Sequence, residues 1–191
     1  MIRRAFALAA CAAVLTGCAT TSGPLSQAPV AAYRDTISLD GTMSANYQKD
    51  GQPGSVTVKF EWEQTPARVD VNLATPLGQT VAKISVTPDS ATLTQADRAP
   101  RVAKDLETLT RETLGWSLPV SGLRDWLQGY ATGADGKRFI ASPANNTVTT
   151  KDGWRLRFVS WQSDTAAVPQ PKRIDADREE LAIRFAIQPA Q

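Results

Sequence analysis

The chain has 191 residues, with 21 lysines and arginines against 19 acids, two cysteines and no histidine. Its length suits one domain, and its 42% apolar and 21% charged content supports one real core rather than bulk disorder. The missing histidine excludes Ser-His-Asp and Cys-His catalysis and imidazole metal sites.

Arg3 and Arg4 precede the apolar run from Ala5 to Leu15, which contains Cys11 and leads into Leu15-Thr16-Gly17-Cys18. A basic start and so short an apolar stretch make a secretory signal rather than a transmembrane helix. Leu-x-Gly-Cys resembles the bacterial lipobox, whose cysteine receives diacylglycerol and then becomes the acylated mature N-terminus. Residues 1–17 are therefore expected to be a removed leader and Cys18 the lipid anchor. Cleavage leaves 174 residues (191 minus 17) and removes two arginines and no acid, so 19 basic residues face 19 acidic ones. A neutral mature chain argues against nucleic-acid binding by phosphate neutralisation. With Cys11 lost and Cys18 lipidated, no thiol remains for a disulfide. Two or more acyl chains, at ~0.8 kcal/mol per buried CH₂, make a stable membrane anchor. Ala19 follows the cysteine; Asp there would resemble an inner-membrane retention signal, so its absence points to the outer membrane. Residues 18–34 read as the acylated N-terminus and a flexible tether, with Ala19 to Ala32 rich in Thr, Ser, Pro and Ala.

The body, residues 35–191, is expected to be one domain. Ile37, Leu39, Gly41, Met43, Ala45 and Tyr47 occupy one parity, and Asp50-Gly51-Gln52-Pro53-Gly54 reads as the turn that follows. Val56, Val58, Phe60 and Trp62 then alternate with Thr57, Lys59, Glu61 and Glu63. Further period-two runs are Val69-Val71-Leu73, Ala82-Ile84-Val86, Trp154-Leu156-Phe158 and Leu181-Ile183-Phe185-Ile187. Such strands predict an antiparallel sheet folded round something apolar. One interruption, Pro100 to Gly129, has helical spacing: Val102, Leu106 and Leu109, with Gly115 as a stop. A second short helix opens at Pro119 and Ser121, presents Leu123, Trp126 and Leu127, and ends at Gly129. The helices either plug an ordinary core or cover a partly open apolar cavity, and these residues alone leave both open. No P-loop string is present.

The stretch Gly115-Trp-Ser-Leu-Pro-Val-Ser-Gly-Leu-Arg-Asp-Trp-Leu-Gln-Gly129 resembles the signature of the LolB family of outer-membrane lipoproteins. Thr75-Pro76-Leu77-Gly78 is similar to that family's Pro-Leu-Gly hairpin tip, and Pro171-Lys172-Arg173-Ile174 with the strand after it also fits. The resemblance implies a mainly β (α+β) fold: an incomplete antiparallel barrel of about eleven strands with a helical lid over an apolar cavity, shared with the soluble carrier LolA. It implies acceptance of lipoproteins from LolA and insertion of their acyl chains into the inner leaflet of the outer membrane, without nucleotide. The implied partners are LolA, acylated cargo lipoproteins and outer-membrane phospholipid, met by a monomer on the periplasmic side. The only prosthetic group expected is the covalent lipid on Cys18.

Cavity-wall candidates are Met43, Val58, Phe60, Trp62, Val71, Leu156, Phe158, Ile183 and Phe185. Lid candidates are Leu106, Leu109, Leu118, Leu123, Trp126 and Leu127. Pro76, Leu77 and Gly78 form the candidate membrane-insertion loop. From turn chemistry alone Leu77 either folds back into the body or protrudes; the resemblance implies that it protrudes. Asp35 and Asp40, Glu61 and Glu63, and the run from Asp175 to Glu180 read as solvated charge rather than an acid/base pair. Lys59, Lys83, Arg155 and Arg157 are candidates to steer an acidic carrier rim. Two other classes remain open: a structural outer-membrane lipoprotein with a filled barrel, and a hydrolase using carboxylates alone.

Overall fold

The computed structural model describes residues 25–96, 98–114, 117–163 and 167–189. Cys18, Gly115 and Trp116 lie outside them. Four strands come first, the long β1 (Ile37–Lys49) and β2 (Gln52–Gln64), then β3 (Val69–Ala74) and β4 (Thr80–Val86). The chain continues through β5 (Ala91–Gln95) and β6 (Arg101–Ala103), then α1 (Leu106–Leu114) and α2 (Val120–Trp126). After the hairpin β7 (Tyr130–Thr132) and β8 (Arg138–Ile140) come β9 (Thr147–Thr149), β10 (Arg155–Trp161), β11 (Pro171–Arg178) and β12 (Leu181–Ile187). Ten strands form one sheet in the order β6-β5-β4-β3-β2-β1-β12-β11-β10-β9, with β7 and β8 paired separately. Every pairing is antiparallel. The barrel is thus incomplete, as expected: among the described residues it is an open sheet of ten strands, with the β7–β8 hairpin apart from it. Its two halves are joined at β1 and β12, from Gly41↔Ile187 to Asn46↔Ala182.

The period-two pattern sets which face is buried. On β2, Val58, Phe60, Trp62 and Gln64 are buried while Thr57, Lys59, Glu61 and Glu63 are exposed. The turn into β2 is tighter than the sequence suggests. Asp50 and Gly51, at φ 54° and 74°, make a two-residue turn that suits the twist of the hairpin. Gln52, Pro53 and Gly54 belong to β2 itself. Gly41 lies opposite Phe60, and a Cβ there would come within 2.1 Å of the Ala186 carbonyl oxygen and 2.9 Å of the Phe60 ring. Glycine lets this part of the sheet close under an aromatic cover.

The helical interruption begins later than its apolar spacing predicts. Val102 sits in β6, paired with Thr92 of β5, and is 67% exposed. Helix α1 starts only after Asp105, whose Oδ1 accepts the Thr108 N–H at 2.7 Å as an N-cap. Pro119 precedes α2, and Gly129, at φ 87°, turns the chain out of it. Leu106 and Leu109 of α1 and Val120, Leu123 and Trp126 of α2 are buried in one core with the inward-facing residues of the sheet. No helix among the described residues is long and apolar enough to cross a membrane.

The expected tether is not free over its whole length. Val30 donates its N–H to the Ala141 carbonyl (3.0 Å), and the Ser26 carbonyl accepts the Ala144 N–H (3.1 Å). The Gln128 amide makes two bonds to Arg34, accepting from its N–H and donating to its carbonyl, both at 3.0 Å. The Tyr130 hydroxyl donates to the Ala31 carbonyl. Val30 is buried in the notch left by Gly129. From Ser26 to Arg34 the chain is therefore a strap across the C-terminal end of α2 and the β7–β8 hairpin.

Candidate functional site

Leu77 stands at the tip of the β3–β4 hairpin and is 92% exposed. Pro76 supplies the fixed φ of the first central position of the turn, closed by the Gly78 N–H to the Thr75 carbonyl at 2.8 Å. Gly78 has φ 90° with open space around it, so glycine is needed here for backbone conformation and not for room. The Thr75 N–H to Gln79 carbonyl bond, 2.8 Å, holds the loop rigid below its tip. Of the two arrangements that turn chemistry allows, the protruding one is found. The register slips between Leu73 and Ala74, which leaves the exposed Val81 as the extra residue opposite them.

At the same end of the sheet an apolar cleft of about 130 Å³ opens beneath the helices. It is lined by Met43, Tyr47, Val56, Val58, Leu73, Val81, Ala82, Ile84, Leu93 and Gln95 from the sheet, and by Thr110 and Leu118 from the helical segment. Leu73 and Val81 are also the residues from which the Leu77 hairpin rises. Ligand pockets for drug-sized molecules measure roughly 300–1,000 Å³. With the helices seated, the inner face is therefore largely filled.

Among the expected wall residues, Met43 and Val58 line the cleft. Phe60, Trp62, Val71, Leu156, Phe158, Ile183 and Phe185 are buried in the core that continues from it. Among the expected lid residues, Leu118 lines the cleft, while Leu106, Leu109, Leu123, Trp126 and Leu127 are buried under the helices. Tyr47, Val56, Leu73, Ala82, Ile84 and Leu93 were not singled out, although all share the inward parity that marks the others.

The two helices are held differently. The Arg124 guanidinium of α2 donates to the Thr65 carbonyl at the β2–β3 turn (2.8 Å), and Gln128 beyond α2 grips the strap. The Trp126 ring meets Trp154 edge-on, centroids 5.6 Å apart. The side-chain hydrogen bonds that leave α1 run within the helical segment. Glu107 Oε1 accepts from the Ser121 N–H and Oγ, and Arg111 donates to Ser117 Oγ. Thr110 Oγ1 is buried; it donates to the Leu106 carbonyl and accepts the Leu118 N–H, both at 2.9 Å. Among the described residues no side-chain hydrogen bond ties α1 to the sheet. Among the described side chains, α1 is thus seated by apolar contact and α2 by polar contacts as well.

Two carboxyl groups in this segment have shifted affinities for protons. Hydrogen bonds from the Thr108 backbone and hydroxyl lower the Asp105 carboxyl below its usual range. Burial raises that of Asp125, countered in part by Arg138 and Arg124. The Arg138 guanidinium lies over the Tyr130 ring (4.6 Å) and the Tyr33 ring (5.3 Å), joining the β7–β8 hairpin to the strap.

Glu61 and Glu63 are exposed on the outer face, as their parity predicts, with Glu61 accepting from Asn72 Nδ2 at 3.0 Å. Lys59, Lys83, Arg155 and Arg157 share that outward parity and are exposed. Asp175 departs from the solvated reading of its run: it is 4% exposed. Arg173 donates to it from Nε at 2.9 Å, and Arg157 reaches it at 3.2 Å. Burial by itself would raise the Asp175 carboxyl, but the hydrogen bonds and charges of Arg173 and Arg157 bring it below its usual range.

A family model described as outer membrane lipoprotein LolB matches residues 35–189. The outer-membrane lipoprotein LolB of Cupriavidus pinatubonensis is 38% identical over 160 residues, covering 79% of this chain and 77% of that protein. That of Cupriavidus necator is 40% identical over 154 residues, with 78% and 77% covered. That of Chromobacterium violaceum is 33% identical over 190 residues and spans 98% of both chains. Among solved structures, a LolA superfamily protein from Nitrosomonas europaea aligns over 82% of this chain and 86% of that chain, at 6% identity and a TM-score of 0.43.

Proposed function

The chain belongs to the LolB family of outer-membrane lipoproteins, and we propose that it accepts lipoproteins from the carrier LolA and delivers their acyl chains to the inner leaflet of the outer membrane. Its class, an outer-membrane lipoprotein localisation factor, follows from the family. The observation that carries the finer reading is the juxtaposition of a fully exposed leucine with the mouth of an apolar cleft.

The physical requirement is differential affinity. Acyl chains crossing water must be shielded at ~0.8 kcal/mol per CH₂, then released to a bilayer that holds them better. A rigid, fully complementary pocket would trap them. Here α1 can lift away from the sheet while α2 stays tied to Thr65 and the strap: the exposed Glu107–Ser121 bonds between the helices are given up to water, and the cleft widens from the Thr110 and Leu118 side. The cargo chains replace the contacts that Leu106 and Leu109 give up, so opening is offset by loading. Leu77, a short step from the cleft mouth, enters the bilayer interface and aligns the mouth with the leaflet. The reading uses no nucleotide, because the bilayer is the sink. Acylated Cys18 would hold the domain at this leaflet: seven residue steps to Leu25 span at most about 25 Å.

The test is binding of an apolar fluorescent probe to residues 19–191, which contain every described element. Saturable binding displaced by a cargo lipoprotein supports the proposal. A folded domain that binds no probe contradicts it and favours a filled, structural barrel.

A further inference from the structure

Strand β2 is longer than its neighbour on one side. It spans Gln52–Gln64, but its ladder with β3 ends at Lys59↔Ala74, leaving seven residues, Gln52 to Val58, with β1 as their only strand partner among the described residues. The turn after β2 shows which backbone groups face that open side. Thr65 and Arg68 exchange both N–H···O bonds, at 2.8 and 3.4 Å, so Thr65 points its polar groups toward β3. In an antiparallel ladder the direction alternates residue by residue. Glu63, Glu61 and Lys59 therefore face β3, and Thr57, Ser55 and Pro53 face the same way beyond its end.

Among the described residues no backbone hydrogen bond reaches Ser55 or Thr57 from that side, and both residues are exposed. Four unpaired groups result, one N–H and one C=O on each. Pro53 has no N–H and ends the usable edge, a common way to blunt an open strand. Val56, between the two, turns inward and lines the apolar cleft, as does Val58. A short polar strand edge thus runs outward from the cleft mouth.

We propose that this edge takes the extended segment that follows the acylated cysteine of a transported lipoprotein, as an added β-strand. The proposal rests on the acyl-acceptor reading and names what else of the cargo is held. Acyl chains in the cleft would deliver the attached cysteine to the mouth beside Val58, with its next residues alongside Thr57 and Ser55. Four main-chain bonds are weak for a free peptide, but lipid binding makes this second contact intramolecular. Main-chain pairing also ignores side-chain identity, which suits cargo segments of differing sequence.

The experiment compares two ligands on residues 19–191 below their micelle concentrations: a diacylated cysteine amide, and the same lipid extended by six residues. The extended ligand should bind about ten-fold tighter. Ser55→Pro, which removes an N–H that β1 does not use, should abolish that gain and leave the lipid amide unchanged. Methylating alternate backbone nitrogens of the peptide should do the same on the unaltered protein, which guards against a folding defect in the variant. Equal affinity for both ligands would overturn the strand-addition proposal with the acyl-acceptor reading intact. Absence of saturable binding by either ligand would overturn both. A chain dimer abolished by Ser55→Pro, without any peptide gain, would assign the edge to a second copy and overturn the proposal.

Discussion

Replacing Leu77 by alanine isolates the proposed membrane step. The side chain is 92% exposed, so its loss leaves packing intact and should change stability by no more than about 0.5 kcal/mol. The substitution deletes three carbons that the proposal places in the bilayer interface. At about 0.8 kcal/mol per carbon this amounts to about 2.4 kcal/mol, roughly a 60-fold loss of partitioning when burial is complete. Flotation of residues 19–191 with phospholipid vesicles reads that constant directly. Leu77→Ala should partition ten- to sixty-fold more weakly, with an unchanged thermal midpoint and unchanged affinity for an apolar probe. The reasoning is refuted by wild-type partitioning of the variant. It is refuted equally by loss of probe binding in parallel, which would mean that Leu77 serves the cleft and not the membrane.

Thr110→Val keeps the side-chain volume but orphans the Leu118 N–H, at a cost of about 1–3 kcal/mol to the seated state of the helical segment. Hydrogen exchange at the Leu118 and Val120 amides should accelerate and probe binding tighten; slower exchange or weaker binding would show that Thr110 does not hold the cleft closed. Asp175→Asn removes the charge that Arg173 and Arg157 share and should cost about 1–3 kcal/mol at neutral pH. Because the native Asp175 carboxyl lies below its usual range, its contribution is full above about pH 4 and is lost as pH falls through its folded value. Thermal midpoints should therefore converge for wild type and variant under acid; a constant gap down to pH 2 would contradict this.

The long strands were legible because one buried face forces strict alternation, as on β2 and β12. The misread places have specific causes. Val102 has the helical spacing to Leu106 and Leu109, yet Asp105, whose side chain caps at Thr108, marks the true start. Pro53 and Gly54 look like turn residues but lie in a strand, where proline is tolerated because, among the described residues, its side of β2 has no strand partner. The strap is hidden because its composition is that of a linker, and what seats it is backbone bonding plus one valine against Gly129. Asp175 is hidden for a different reason: its burial depends on Arg157, eighteen positions away, arriving on the neighbouring strand. The cleft itself needs three-dimensional knowledge, since residues that line it and residues that fill the core have the same parity and the same chemistry. Leu77 is readable as a turn position, but turn chemistry allows it to fold back or to protrude, and the hairpin geometry decides for protrusion.

The central claim is tested most directly by transfer. LolA loaded with a radiolabelled lipoprotein is mixed with residues 19–191 in the absence of ATP, and the label is followed between the two proteins and then into added vesicles. The account predicts movement from carrier to this chain and on to lipid, with Leu77→Ala slowing only the second step. Label that stays on the carrier while the domain is demonstrably folded would contradict it.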